Sequence, residues 1–170
     1  LAFQILRQKN HLLGCLDIAP MARLRVLLYH HIPIEQEEKF AIQLKWLCKF
    51  WHFVTPKNFS AMLTGTEKFT KDSLMLCFDD GFLSNRLVAE RVLNKMGIKA
   101  LFFVPSEFVN LSAESDWQSF IAQNIYPSMK PIDVPDDWKN MNWEDLNYLI
   151  ETGHTIGAHT ARHELLSQLK

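Results

Sequence analysis

Two adjacent carboxylates, Asp79 and Asp80, follow an apolar run at positions 73–78 and precede Gly81. The run predicts a buried strand, and catalytic groups of α/β proteins collect where strands end. Because side chains alternate along extended chain, one carboxylate can hold a cation while the other moves a proton. Gly81 permits a sharp turn that would leave both exposed. The same residues are also typical of an ordinary solvated turn, so the pair alone leaves both interpretations open.

Two histidines, His159 and His163, stand four positions apart near the end of the sequence. If the chain becomes helical at His159, both imidazoles lie on one face, close enough to bind a single ion. Two imidazoles and one carboxylate form a common metal-ligand set that leaves positions open for water and substrate. Two histidines at this spacing, without other support, more often lie on a helix surface than bind a metal. Together with the paired carboxylates, it indicates a metal-dependent site.

The order and spacing of these motifs resemble those of a known family. Phe78-Asp-Asp-Gly81, followed by Gly-His-Thr-Ile-Gly-Ala-His-Thr-Ala-Arg-His at 153–163, resembles the polysaccharide deacetylase family, the NodB-homology domain of carbohydrate esterases. The resemblance covers residues 25–170 and corresponds to the N-terminal portion of such a domain. It implies an α/β fold, a partial or distorted (β/α) barrel that lacks its C-terminal strands.

The resemblance also implies an activity, the hydrolysis of acetyl groups, mainly N-acetyl, on a carbohydrate polymer or oligosaccharide. Asp79 matches the family's general base, and Asp80, His159 and His163 match its metal ligands. The metal would polarise the acetyl carbonyl and activate a water whose proton passes to the base. Zinc is the expected divalent cation, although cobalt, nickel or iron also accept two imidazoles and a carboxylate.

Two departures from the family pattern bear on activity. Cys77 stands where the family has Thr or Ser, and we expect it to change packing around the carboxylates rather than remove the chemistry. The later family motifs, an Arg-x-Pro-Tyr segment and a Leu-His-x-His segment, have no match before Lys170. The alternative is therefore a truncated, catalytically impaired module that binds metal or sugar. An aspartyl phosphatase is disfavoured, because its site would need Asp-x-Asp and magnesium without histidines.

Composition limits the class of partner. The sequence has 170 residues, a net charge of -1, 22% charged residues and 48% hydrophobic residues, as in a single globular domain. This charge gives no argument for binding nucleic acid or anionic membranes, and no apolar run is long enough to span a bilayer. The partner that the family resemblance implies is an acetylated carbohydrate. Cys15, Cys48 and Cys77 do not form a disulfide pattern.

The first 24 residues are expected to form a peripheral segment. Apolar residues 1–6 are interrupted by Arg7 and Lys9, which argues against a signal-peptide core. A remnant of a longer protein is the main alternative. Members of the family often act at the cell envelope, but the sequence itself assigns no compartment.

Hydrophobic periodicity predicts alternating strands and helices. The predicted strands are 25–32, 53–55, 73–78, 99–104 and a short one after His154; the predicted helices are 35–51, 58–63, 84–96 and 142–150. Helix N-caps are predicted at Asn58, at Ser84 or Asn85, and at Asn142. This alternation predicts a parallel sheet with right-handed crossovers. Because an incomplete barrel would expose a strand edge, we also expect self-association through that edge.

An insertion at about 105–140 interrupts the alternation. Its composition is typical of a loop with one short helix, and it is expected on the same face as the carboxylates. Trp117 and Trp138 could stack on sugar rings there, or could simply pack the insertion down. His30 is a further candidate for the substrate face, although a strand-end role explains it as well. His154 is expected to be structural, because it precedes its strand.

Overall fold

The computed structural model of the protein describes residues 22–168. The predicted peripheral segment, 1–24, therefore lies almost entirely outside the described residues, as does Cys15, and the domain boundaries stay predictions. Within residues 22–168, no helix has the length and apolar composition needed to cross a membrane.

A parallel sheet forms the centre of the fold. Its strands are β1 (Leu24–Tyr29), β2 (His52–Phe53), β3 (Ser73–Phe78), β4 (Ala100–Val104) and β5 (Thr155–Ala158). The order is β1-β3-β4-β5, and β2 pairs with the first residues of β3. Every pairing is parallel, which confirms the predicted α/β class. All six residues of β3 are buried, as its uninterrupted apolar run predicts for a strand covered on both faces.

Helices follow the strands in the predicted alternation. They are α1 (Glu37–Leu47), α2 (Pro56–Leu63), α3 (Leu83–Val88), α4 (Glu114–Phe120) and α5 (Trp143–Glu151). α3 continues into a π turn, Ala89–Leu93, and a 3₁₀ turn, Asn94–Met96, whereas α4 continues into a π turn, Ile121–Ile125. Short 3₁₀ helices lie at Ile34–Gln36, Phe108–Asn110, Pro131–Asp133, Asp136–Trp138 and Leu166–Gln168.

Two of the predicted helix caps are wrong. α2 is capped by Thr55, whose hydroxyl oxygen accepts a hydrogen bond from the Asn58 backbone N–H at 3.2 Å. Proline at the first helical position, Pro56, has a backbone angle suited to that start. α5 begins as predicted, because Asn142 and Asp145 form a reciprocal capping box.

α3 starts earlier than predicted and has no side-chain cap. The backbone N–H of Leu83 donates instead to the carbonyl of Lys139 at 2.7 Å. Ser84 and Asn85, the predicted caps, consequently lie inside the helix and are buried. The insertion backbone thus replaces the cap that a local pattern would have supplied.

β1 is less buried than predicted and ends at Tyr29 rather than residue 32. Val26 is 48% exposed and Leu28 is 46% exposed. The reason is position, because β1 lies at one edge of the described sheet and the described elements leave this face open. Ile150 of α5 is likewise exposed.

The buried apolar residues within 22–168 form two hydrophobic clusters. The main core packs α1, α3 and α5 against the sheet around Leu76, Phe78 and Phe102. The second cluster belongs largely to the insertion and consists of Phe82, Phe108, Trp117, Phe120, Ile121, Ala122, Ile125 and Val134. The insertion is therefore a packed segment with one helical stretch, α4 and its π turn.

Candidate metal centre

The end of β3 delivers the two carboxylates. The Asp79 backbone N–H donates to the Tyr29 carbonyl at 3.0 Å, which extends the β1–β3 pairing by one residue. Asp80 (φ 71°) and Gly81 (φ 77°) then adopt left-handed conformations. A side chain at position 81 would not fit, since its Cβ would lie 2.8 Å from Cγ1 of Val104. At position 80, aspartate tolerates the left-handed backbone conformation better than most other non-glycine residues do.

The expectation that both carboxylates are exposed is wrong for Asp80. Its side chain is only 1% exposed, whereas Asp79 is partly buried. The loop that follows β5 covers Asp80 and places His159 and His163 against it.

A turn, not the expected helix, brings the two histidines together. The His159 backbone N–H donates to the Val104 carbonyl at 3.1 Å, one residue beyond β5. Thr160 (φ 61°) and His163 (φ 62°) then take left-handed conformations. The centroids of the two imidazole rings lie 4.8 Å apart, and the angle between the ring planes is 77°. Left-handed non-glycine residues are sparsely populated and cluster at functional sites.

The three predicted ligands converge on one point. Oδ1 of Asp80 lies 3.3 Å from Nε2 of His163 and 3.5 Å from Nε2 of His159. Metal–ligand bonds of about 2.0–2.2 Å at tetrahedral angles separate neighbouring ligand atoms by about 3.4 Å. The two Asp80–histidine distances match this spacing, and the three ligand atoms all lie within 4.8 Å of one another, so the set could hold a metal ion.

The insertion fixes the tautomer of His163. Its Nδ1 lies 3.1 Å from the carbonyl oxygen of Asn124, and a carbonyl can only accept, so Nδ1 carries the proton. In the neutral ring, Nε2 then presents a lone pair towards Asp80, as in metal-bound histidines whose other nitrogen donates to a carbonyl. Asn124 belongs to the π turn after α4. Sequence reasoning missed it because any residue supplies a backbone carbonyl.

The electrostatics of Asp80 fit a bound cation. Its Oδ1 has no hydrogen-bond partner among the described residues. Burial raises the pKa of this carboxyl, and the nearby His30, His163 and His159 oppose the shift. A buried carboxylate oxygen without a hydrogen-bond partner, beside an imidazole lone pair, is unfavourable unless a cation or a proton lies between them. Carboxylate and imidazole are ligands that divalent transition metals accept.

Asp79 has separate support. The Cys77 thiol lies 3.8 Å from its Oδ1, and the Asn85 side-chain amide donates to its backbone carbonyl at 3.2 Å. Burial, with the charge of Asp79 second, raises the pKa of Cys77 to about 12. The cysteine is therefore a neutral thiol that donates weakly to the carboxylate. The effect of cysteine in place of Thr or Ser at position 77 stays a prediction.

The candidate substrate-face residues separate into two kinds. His30 is exposed and lies near enough to Asp80 to influence its pKa. Trp138 is partly exposed, and its ring centroid lies 5.0 Å from that of Tyr126, whose pKa is raised by burial and then by the charge of Asp80. Tyr126 therefore lies near the centre and was missed from the sequence. Trp117 is only 3% exposed within the insertion cluster, so it offers no face to a sugar.

His154 is structural, as predicted. It is buried; its Nδ1 accepts from the Ala100 backbone N–H at 3.1 Å and its Nε2 donates to the Asn94 side-chain oxygen at 3.2 Å. Burial, with the charge of Lys99 second, lowers the pKa of His154 to about 4. A neutral imidazole thus links the starts of β4 and β5 to the end of the α3 segment.

Comparison with known proteins gives a consistent result. Residues 66–170 match the family described as polysaccharide deacetylase. The chain is 30% identical over 109 residues to YxkH of Bacillus subtilis (strain 168), a candidate polysaccharide deacetylase; the match covers 61% of this chain and 39% of YxkH.

Solved structures with a similar fold include a deacetylase. IcaB from Ammonifex degensii aligns with a TM-score of 0.64 and 26% identity over 82% of this chain and 54% of IcaB. The Streptococcus pyogenes deacetylase PplD, solved in complex with acetate, aligns with a TM-score of 0.64 and 18% identity over 88% of this chain and 62% of PplD. The chain therefore spans between about two fifths and three fifths of these proteins.

Proposed function

Because the chain belongs to the polysaccharide deacetylase family, we propose that it is a metal-dependent hydrolase that removes acetyl groups, mainly N-acetyl, from a carbohydrate polymer or oligosaccharide. The main observation that supports this proposal is the short distance from Oδ1 of Asp80 to two imidazole nitrogens. It is 3.3 Å to Nε2 of His163 and 3.5 Å to Nε2 of His159. The acetate in the PplD structure is the product that such a reaction would release. Since the chain spans only part of its relatives, the activity of the full-length protein belongs to this proposal.

Asp80, His159 and His163 would hold the cation, for which we propose zinc. Zinc suits a carboxylate and two imidazoles at tetrahedral spacing. The bound cation supplies Lewis acidity, which polarises a carbonyl group and acidifies water. The Asn124 carbonyl keeps the His163 ring in the tautomer that leaves Nε2 free for this task.

Asp79 would serve as the general base. Its carboxylate takes a proton from the attacking water as the water oxygen bonds to the acetyl carbon. The carbon–nitrogen bond then breaks as this proton passes to the leaving nitrogen, and the second proton of the water also ends on that nitrogen, which gives acetate and an ammonium on the sugar. Cys77 and Asn85 hold the residue that performs this transfer.

Calorimetric titration of the metal-stripped protein with zinc tests the site. We expect one equivalent to bind, and Asp80→Asn and His159→Ala to weaken binding at least tenfold. His52→Ala is the matched control, because His52 is an exposed histidine on β2, away from the centre. Absence of binding, or equal binding by all variants, would remove the metal from the proposal.

Acetate release from acetylated amino-sugar oligomers tests the reaction. We expect zinc-dependent release that Asp79→Asn lowers at least a hundredfold, within the range usual for a general base. Metal binding without any release would leave the narrower function, a module that binds metal or sugar without turnover.

We also propose that the open edge of β1 allows self-association, with Val26 and Leu28 on its exposed face. Light scattering should detect a dimer that Val26→Lys disrupts. A monodisperse monomer at all concentrations would refute this part of the proposal.

A further inference from the structure

Three hydrogen-bonded polar side chains lie outside the metal ligand set and take no part in the proposed deacetylase chemistry. His31 follows β1, Ser84 belongs to the first turn of α3, and Asp137 belongs to the 3₁₀ helix Asp136–Trp138 of the insertion. Nδ1 of His31 lies 2.8 Å from Oγ of Ser84, and Nε2 of His31 lies 2.9 Å from Oδ2 of Asp137. Both distances are those of good hydrogen bonds.

The Asp137 carboxylate determines which nitrogen of His31 carries the proton. A carboxylate accepts hydrogen bonds, so Nε2 of the neutral ring donates to it, and Nδ1 has the lone pair that accepts from the Ser84 hydroxyl. A nucleophile bonded to a base, with a third group that orients the base, is the arrangement of the serine hydrolases. The two ring nitrogens exchange their usual roles here, but either nitrogen of an imidazole can take up a proton.

Aromatic contacts hold the imidazole in this position. The ring centroid of His31 lies 5.7 Å from that of Phe82 and 5.8 Å from that of Trp138. The His31 side chain is only 11% exposed and Ser84 is buried. The base is therefore oriented in the free protein, and burial limits the competition of water for the hydrogen bond between Ser84 and His31.

A cavity of about 270 Å³ opens onto these side chains. Ser84, His31 and Asp137 all line it. Much of the remaining wall is apolar and consists of Ile32, Ile34, Leu83 and Leu87. Because ligand cavities usually measure about 300–1,000 Å³, this one suits a small molecule with an apolar part.

The charges around the cavity restrict its substrate further. The carboxylates of Glu37, Asp136 and Asp137 line it against the one ammonium of Lys139, so a substrate that carries a carboxylate is repelled. The Lys139 carbonyl accepts from the Leu83 backbone N–H at 2.7 Å, next to the nucleophile in sequence. The Lys139 ammonium is therefore near enough to stabilise negative charge that develops on an acyl oxygen.

We propose that Ser84, His31 and Asp137 form a second catalytic site, a metal-independent esterase for small neutral esters of short apolar acids. Oγ of Ser84 bonds to the acyl carbon as its proton passes to Nδ1 of His31. The ester carbon–oxygen bond then breaks, and this proton leaves with the alcohol. Water next bonds to the acyl carbon and gives one proton to Nδ1, which returns it to Oγ as the carboxylic acid departs. One ester and one water thus give one acid and one alcohol.

Hydrolysis of p-nitrophenyl butyrate in the presence of a chelator tests this activity, because the chelator removes any metal-dependent reaction. We expect turnover that Ser84→Ala and His31→Gln each lower about a hundredfold or more, as removal of a triad member does. p-Nitrophenyl succinate, which carries a carboxylate, should be a poorer substrate. Ser60→Ala and His52→Gln are the matched controls, because both residues are exposed and lie on α2 and β2.

Asp137 is a positioning residue in this proposal, and its variants separate orientation from folding. Its side chain is 51% exposed, so Asp137→Asn should leave the fold intact. We expect this variant to lower kcat at least tenfold with little change in KM, because the amide no longer selects the reactive tautomer of His31. Asp137→Glu should restore part of kcat. A merely structural tether would give equal kcat values in all three proteins.

Covalent labelling with phenylmethylsulfonyl fluoride gives a readout that does not depend on turnover. Oγ of Ser84 should displace fluoride and keep the sulfonyl group, and its proton should leave as hydrogen fluoride. Peptide mass mapping of the wild-type protein should locate the label at Ser84 and not at Ser60. Absence of this label, no ester hydrolysis above the buffer rate, or full hydrolysis by Ser84→Ala would each overturn the proposal. None of these outcomes bears on the deacetylase function, which is measured by zinc binding and acetate release.

Discussion

Oδ1 of Asp80 and Nε2 of His163 lie 3.3 Å apart, and in the neutral state of the imidazole both atoms are acceptors. In a neutral His163 the only ring N–H donates its hydrogen bond to the Asn124 carbonyl. This imidazole therefore cannot donate to the carboxylate of Asp80. Asp80 is almost fully buried, which keeps bulk water from screening the contact. When no proton lies between these two acceptor atoms, the metal-free protein keeps an unfavourable contact that a cation would convert into a favourable one.

Asp80→Asn should have opposite effects on stability in the two states. Without metal, the amide can donate to Nε2 of His163, so the free energy of unfolding should rise by about 1 kcal/mol. With zinc at a hundred times its dissociation constant, wild type should gain about 2.7 kcal/mol and the variant much less. Denaturant unfolding with a chelator and with zinc measures both effects.

Asp79→Asn is the control for this comparison, since Asp79 is half-buried and outside the ligand set. It should keep the zinc-dependent gain. If Asp80→Asn destabilises the chelated protein as much as it weakens the zinc-loaded one, repulsion between the two acceptors does not govern the stability of the metal-free protein.

Gly81→Ala should destabilise the protein more than Gly65→Ala. Both glycines have left-handed backbone angles, φ 77° and 76°, and each substitution should cost about 1–2 kcal/mol for that conformation. Only at position 81 would the new Cβ also meet Cγ1 of Val104, at 2.8 Å, whereas nothing lies within 4 Å at position 65. Overpacking adds about 1–3 kcal/mol. Equal losses in denaturant unfolding would show that the contact with Val104 relaxes freely.

Local sequence patterns predicted the parts of the fold that depend on local chemistry. The apolar run before Asp79 predicted β3, and the Asn142 cap predicted the start of α5, because burial and capping are encoded within a few residues. The motif resemblance brought Asp80, His159 and His163 into one hypothesis, and the structure places them together.

The remaining features depend on contacts between distant segments. The burial of Asp80 results from the loop after β5, and the cap of α3 is the backbone of Lys139. Asn124 orients His163 through its carbonyl, an atom that every residue carries. None of these has a residue-type signature, so a single sequence could not reveal them.

From the sequence, Trp117 and Trp138 have the same two interpretations, stacking on sugar rings or packing the insertion. Replacing each with alanine should nevertheless have different effects on stability and KM. Trp117→Ala removes a side chain that is buried in the insertion cluster, so it should cost about 3–5 kcal/mol of stability. Trp138→Ala should cost less, because Trp138 is partly exposed, and should raise KM for oligomers. Unfolding free energies and KM values measure the contrast. A Trp117→Ala protein of wild-type stability would contradict the buried placement.

His154 should make stability depend on pH between about 4 and 6.5. Burial lowers the pKa of His154 to about 4 in the folded protein. In the unfolded chain the same imidazole already binds a proton when the pH falls below its ordinary pKa of 6.5. Unfolding therefore takes up a proton in this window, so the contribution of His154 is complete above pH 6.5 and is lost as the pH falls towards 4. The loss should be on the order of 3 kcal/mol.

Unfolding free energies measured across this range should fall less steeply for His154→Gln than for wild type. His52→Gln, at an exposed histidine, should follow the wild-type curve. Parallel curves for wild type and His154→Gln would show that His154 is not the group responsible.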